Sequence, residues 1–130
     1  LAPAAAPALP LPVALYGPAR ANSRGVDLAV LAERAPLEAA VAATAVPAIA
    51  EAHPDAIDAT MQRLQRGFEA WNATPLAQRA AVLRRAADAL EAELPATCGL
   101  LVKEAGKTLG DCVAEVREAV DFCRYYADQA

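Results

Sequence analysis

Residues that carry chemistry are scarce in this chain. A single histidine, His53, and three cysteines, Cys98, Cys112 and Cys123, are scattered over 130 residues. No two cysteines stand in a C-x-x-C pair and no second histidine is present, so the ligand spacings of a metal site are missing. An odd, unpatterned cysteine set fits a reducing compartment without disulfides, and the expected location is the cytoplasm. Large side chains are scarce too, with two Phe and one Trp, and much of the 56% hydrophobic content is alanine. At about 0.8 kcal/mol per buried methylene, an Ala-rich face gains far less by docking than a Leu or Phe face, so the core is expected to be thin and to need surfaces the chain does not contain. No apolar run approaches the ~20 residues of a membrane-spanning helix. The apolar opening, Leu1 to Leu15, is interrupted by prolines and has no basic start, which speaks against a signal peptide. A net charge of −4 argues against a nucleic-acid partner, because Arg84-Arg85 sits among acidic neighbours and forms no basic stripe.

What is present is helical punctuation. Residues 1–30 form a Pro-rich lead-in: Pro3, Pro7, Pro10, Pro12 and Pro18, with Gly17 and Gly25, forbid a continuous helix and favour extended backbone lying on something else. From 31 to 130 the pattern is helical throughout. A helix spans Leu31 to Ala43 and breaks before Pro47; a second starts near Pro54, with Asp55 complementing its dipole, and runs to about Trp71. Thr74-Pro75 reads as a capping hydroxyl followed by a first-turn proline, opening a third helix. In it Leu76, Ala80, Leu83, Ala87, Leu90 and Leu94 recur at spacings of three and four, the mark of one buried face. Pro95 opens a short helix that Gly106 stops, and Thr108 with Asp111 resembles a capping box that starts the last one. Its apolar face is Cys112, Val116, Ala119, Val120, Cys123 and Ala127, with Arg117–Asp121 and Asp121–Arg124 able to pair outside. No period-two alternation of useful length occurs, so the fold class is mainly α with little or no strand.

Few of these residues invite a functional reading. Cys112 and Cys123 fall on an apolar face and read as core, since a reactive thiolate needs a positive or helix-amino-terminal setting. Cys98 is open to being a surface thiol. Gly106-Lys107 is explained by a helix stop with a cation near the negative end of the dipole, and the Gly-x-x-x-x-Gly-Lys phosphate loop is absent. His53, just before Pro54, contributes to the helix start, while Phe68 and Trp71 read as packing anchors. Glu118 falls off the apolar face of the last helix, beside Phe122 and on the flank of Glu115 and Asp111, where a neighbouring domain could set it against a cavity.

Lys103-Glu104-Ala105-Gly106-Lys107-Thr108, followed by Glu115-Val116-Arg117-Glu118-Ala119-Val120-Asp121-Phe122-Cys123-Arg124-Tyr125-Tyr126, resembles the amino-terminal helical part of an aldehyde dehydrogenase. The lead-in Leu9-Pro10-Leu11-Pro12, Leu15-Tyr16-Gly17 and Arg20 to Leu28 narrows the likeness to the dehydrogenase half of bifunctional proline utilization A proteins. That resemblance implies a helical amino-terminal fragment of an α/β dehydrogenase fold. The intact protein would oxidise L-glutamate γ-semialdehyde to glutamate with NAD, and a flavin-dependent (FAD) proline dehydrogenase would precede it. In that family a cysteine thiolate attacks the aldehyde, hydride passes to the nicotinamide and water releases the acid. The cofactor fold and the Gly-Gln-x-Cys nucleophile lie later in the chain, so the resemblance implies no catalytic residue, no cofactor in this chain, and a fragment inactive alone. It also implies one substrate contact: six positions before the Arg of the Arg-Tyr-Tyr motif, members that oxidise glutamate semialdehyde place a glutamate against the substrate's α-ammonium group. Here that position is Glu118, six before Arg124. The chain departs from the family where a strand pair normally precedes the helix ending at Trp71; only Ala45 to Ala52 stands there, and a start at Leu1 is what a fragment would show. The expected partner is the remainder of the dehydrogenase domain. The alternative reading is a non-enzymatic helical module, derived from an aldehyde dehydrogenase, that docks or oligomerises through exposed apolar helix faces.

Overall fold

A computed structural model describes Pro10 and residues 14–130; Pro3, Pro7 and Pro12 of the lead-in lie outside the described residues. Five helices follow one another: α1 (Leu31–Ala43), α2 (Pro54–Ala73), α3 (Leu76–Ala92), α4 (Leu94–Ala105) and α5 (Leu109–Asp128). Among the described residues there is no strand, as the missing period-two pattern requires. α3 packs on α5 and α1 on α4, and an α4–α5 contact joins the two pairs. Their junction is the core: Leu37 of α1, Ala87 of α3, Leu94 and Cys98 of α4, and Cys112, Val113, Val116 and Val120 of α5.

Local chemistry sets the boundaries. α2 starts at Pro54, where no amide donor is needed, and the His53 imidazole accepts the Asp55 N–H at 3.3 Å. α4 stops at Gly106, whose N–H still bonds the Val102 carbonyl at 3.1 Å and whose left-handed backbone (φ +65°) then turns the chain so that the Lys107 N–H points back to the Leu101 carbonyl at 3.4 Å. The Thr108 hydroxyl oxygen accepts the Asp111 N–H at 3.2 Å and donates to the Asp111 carboxylate at 2.7 Å, so the hydroxyl half of the anticipated capping box forms while the carboxylate bonds the hydroxyl in place of the Thr108 N–H. α1 and α4 approach closely because position 99 has no side chain: a Cβ there would lie 2.1 Å from Thr44 Oγ1.

Four local expectations are corrected. Thr74 does not cap α3; its hydroxyl donates back to the Ala70 carbonyl at 3.0 Å and ends α2, while Pro75 stands before α3 without a side-chain cap. Cys98 is no surface thiol, because the α4–α5 junction encloses it completely. Phe68 and Trp71 anchor nothing: both are about half exposed, no residue of α2 is buried, and Leu76 at the start of the α3 stripe is exposed as well. The pairs expected along α5 give way to tertiary ones, since Asp121 accepts from Ser23, and Arg124 donates to Asp88 and Glu91.

Candidate functional site

α5 carries the Arg-Tyr-Tyr motif together with most of the fold's side-chain hydrogen bonds to the lead-in, and it works on two sides. Its inner side pins the lead-in. Asp121 accepts the Ser23 N–H at 2.7 Å and the Ser23 hydroxyl at 2.8 Å, and Arg117 Nε reaches the same hydroxyl at 3.3 Å. Ser23 is only 1% exposed, so these bonds satisfy a buried hydroxyl and a backbone donor together. Arg124 extends the clamp, donating to Glu91 at 2.7 Å, to Asp88 at 3.1 Å and to the Ala21 carbonyl at 3.4 Å. Burial opposes the charge of Arg124, but the hydrogen bonds and charges of Glu91 and Asp88 outweigh it and raise its pKa further. Above this clamp the Arg20 guanidinium lies over the Tyr16 ring at 4.0 Å and faces the Tyr125 ring at 5.5 Å.

A groove of about 750 Å³ opens between the lead-in, α1, α3 and α4, bordered by Arg24, Glu33, Leu37, Asp88, Glu91 and Arg124. Its charged groups serve the scaffold: Glu33 accepts the Asp27 N–H, Glu91 accepts the Arg24 N–H, and Arg124 is held by Asp88 and Glu91. They leave no convergent set for chemistry.

The outer flank of α5 carries Asp111, Glu115, Glu118 and Phe122, all exposed. Asp111 is engaged by Thr108, and Glu115 by the Lys107 ammonium, whose pKa that hydrogen bond raises. Glu118 forms no hydrogen bond or ion pair among the described residues. Four positions on, Phe122 stands half exposed and forms an aromatic group with Tyr126 at 6.1 Å, and Tyr126 meets Tyr125 edge-on at 5.2 Å. The flank therefore offers one unengaged carboxylate beside an apolar aromatic surface.

The thiols are placed differently. Cys98 and Cys112 are enclosed in the core, and burial, with a smaller contribution from Cys112, pushes the Cys98 thiol up to about 11. Burial likewise raises Cys112. The nearby Lys107 charge opposes this at Cys112, but burial together with Asp111 and Glu115 outweighs it, so neither thiol is favoured as a thiolate. His53 is exposed and occupied at the α2 start, and no cluster of metal-binding residues occurs among the described residues. Sequence reasoning missed the Ser23–Asp121–Arg117 clamp, in which Ser23 lies more than ninety positions from the other two; no local spacing signals such a contact.

This fold and flank match a known architecture. A sequence model of the aldehyde dehydrogenase family matches residues 31–130, and the chain belongs to that family. Within it, the chain is 39% identical to the bifunctional protein PutA of Escherichia coli over 154 residues, covering 95% of this chain and 12% of that protein. It is 38% identical to a 1-pyrroline-5-carboxylate dehydrogenase of Bacillus licheniformis over 84 residues, covering 65% of this chain and 16% of the relative. A crystal structure of a bifunctional proline utilization A protein superposes with a TM-score of 0.85 at 43% identity, covering 95% of this chain and 13% of that one. The described helices thus correspond to the amino-terminal part of that protein's aldehyde dehydrogenase domain, and the chain spans about an eighth of the length of such relatives. The Escherichia coli match extends over more positions than this chain has residues, so the relative carries residues where this chain has none.

Proposed function

We propose that this chain is the leading helical segment of an NAD-dependent L-glutamate γ-semialdehyde dehydrogenase within a bifunctional proline-catabolising polypeptide. One observation carries the reading: 39% identity to a bifunctional PutA protein holds across 95% of the chain, lead-in included. In this reading residues 1–30 are the lead-in to the dehydrogenase domain and residues 31–130 its first helices. The segment is structural except at Glu118, which positions the semialdehyde by receiving its α-ammonium group.

The residues present do not fit a nicotinamide or flavin cofactor. The described part has no strand-turn-helix unit, and its glycine at the end of α4 is consumed in stopping that helix. The cofactors, the nucleophile and the hydride step belong to other parts of the intact protein, and the segment alone is inactive.

Glu118→Ala in the intact enzyme tests the reading. A charge-assisted contact to the substrate ammonium is worth about 1.5–3 kcal/mol, so kcat/KM for glutamate semialdehyde should fall roughly ten- to a hundredfold. A simple aldehyde without an ammonium group should be nearly unaffected. Equal losses on both substrates, or none on either, would remove Glu118 from the substrate site.

A further inference from the structure

The lead-in grips α5 at the turn that carries Glu118. Arg117, Asp121 and Arg124 follow one another along a single line of the helix at spacings of four and three, and Glu118 stands between the first two. With 3.6 residues per turn, its side chain leaves the helix about 60° round from that of Asp121, so the two share one turn of rigid backbone. All three residues of the line hold the lead-in. Asp121 accepts the Ser23 N–H at 2.7 Å on one carboxylate oxygen and the Ser23 hydroxyl at 2.8 Å on the other, Arg117 reaches the same hydroxyl, and Arg124 donates to the Ala21 carbonyl. Phe122 and Tyr125 continue the line of Glu118 four and seven positions on, and Arg20 of the lead-in lies 5.5 Å from the Tyr125 ring. The buried side of α5 is Cys112, Val113, Val116, Val120 and Ala127, whose burial is non-directional. Charge-assisted hydrogen bonds are directional, so the clamp fixes the rotation of α5 about its axis more sharply than its apolar packing does.

We propose that Asp121 and Ser23 are positioning residues for Glu118: by pinning α5 to the lead-in they hold the helix in rotation and aim the Glu118 carboxylate at the substrate's ammonium group. The inference rests on the substrate contact proposed above for Glu118. Ser23 acts without touching substrate, being 1% exposed, and Asp121 has both carboxylate oxygens engaged by Ser23. Side-chain ends lie about 5–6 Å from a helix axis, so a rotation of about 10° carries them by about 1 Å. A misplacement of about 1 Å is enough to lower a rate by roughly a hundredfold. The loss is bounded by the contact being aimed, so it cannot exceed the roughly ten- to a hundredfold expected of Glu118→Ala.

The test compares two substrates in the intact enzyme, glutamate semialdehyde and a simple aldehyde without an ammonium group, for the parent, Asp121→Ala, Ser23→Ala, Glu118→Ala and the Asp121→Ala/Glu118→Ala pair. Asp121→Ala should lower kcat/KM for the semialdehyde by about tenfold, with KM rising more than kcat falls, and should change the simple aldehyde much less. Ser23→Ala, which deletes one buried hydroxyl and keeps the backbone donor, should shift selectivity in the same direction by a smaller factor. In the Glu118→Ala background Asp121→Ala should cost the semialdehyde nothing further, because there is no carboxylate left to aim. A merely structural role would lower turnover of both substrates together, and that result would overturn the proposal. So would a selective loss at Glu118 with none at Asp121 or Ser23, or losses that add in the pair; in each of these cases the substrate contact of Glu118 stands. A Glu118→Ala enzyme without a selective loss would instead remove that contact, and the positioning role with it. Should Asp121→Ala fail to fold, Ser23→Ala decides the matter by the same ratio of substrates.

Discussion

Gly99→Ala sets two physical effects against each other, and the structure decides the sign. In a helix interior the change gains about 1 kcal/mol of intrinsic helix stability. Position 99, however, is buried at the α1–α4 contact, where the added Cβ would lie 2.1 Å from Thr44 Oγ1, 3.1 Å from Thr44 Cβ and 3.2 Å from the Ala40 carbonyl oxygen. Rotating Thr44 away would break its hydroxyl's hydrogen bond to the Ala40 carbonyl, 2.7 Å long, at about 0.5–1.5 kcal/mol. The Cβ and carbonyl contacts would persist, and overpacking of this kind costs about 1–3 kcal/mol. The contact therefore wins, with a net loss of roughly 1–3 kcal/mol. Urea unfolding of the parent, Gly99→Ala, Thr44→Ala and the double variant measures it, and the cycle should return a coupling of about 1 kcal/mol or more, because removing the Thr44 hydroxyl relieves the closest clash. A Gly99→Ala chain more stable than its parent would refute the reasoning, since helix propensity would then be the only effect acting.

Four further outcomes are expected. Asp121→Asn, which removes the charge receiving the Ser23 N–H and hydroxyl, should cost about 1–3 kcal/mol and speed proteolysis within residues 20–28; unchanged digestion there would mean the lead-in is held by other contacts. A small thiol reagent should modify Cys123 first and reach the enclosed Cys98 and Cys112 only on opening of the fold. The folded Cys98 thiol titrates above its usual value of 9.0, at about 11, so its contribution to stability is intact below pH 9 and is lost as pH climbs through that interval; stability that rose from pH 9 to 11 would contradict the burial. Calorimetry of the isolated chain with NAD should show no saturable heat, and measurable binding would sink the proposal that the cofactor site lies elsewhere.

Much of the fold is legible in the sequence because its punctuation is local. Pro54, Gly106 and Thr108 each act on backbone groups within a few residues, and the observed helix limits follow them closely. Thr74 shows where that reading runs short, since a hydroxyl between two helices can serve either, and the geometry here gives it to the end of α2. The tertiary partners were not legible. Arg117, Asp121 and Arg124 have the spacing of intrahelical pairs, but buried Ser23 and the carboxylates of α3 compete for them, and a partially desolvated pair outweighs an exposed one worth a few tenths of a kcal/mol. Cys98 misled for the same reason: its neighbourhood is made by Cys112 on another helix, across a junction that periodicity within α4 does not describe.

The distribution of side-chain size ties these observations together. Among the described residues the enclosed core is built from small or medium side chains, three of them alanines and two cysteines, with Leu37 and Leu94 its leucines. The larger apolar groups Ile57, Met61, Leu64, Phe68, Trp71, Phe122, Tyr125 and Tyr126 stand half exposed on α2 and on the outer flank of α5. Since burial free energy scales with apolar area, the surfaces worth most to cover are the ones this chain leaves open. Small residues inside let α1, α3, α4 and α5 close on one another, while large residues outside reserve two faces for something further. On α5 that open face carries Glu118 beside Phe122, where the proposed substrate contact would lie, and on α2 it carries the uncharged row Ile57, Met61, Leu64, Phe68 and Trp71 that the described helices leave uncovered.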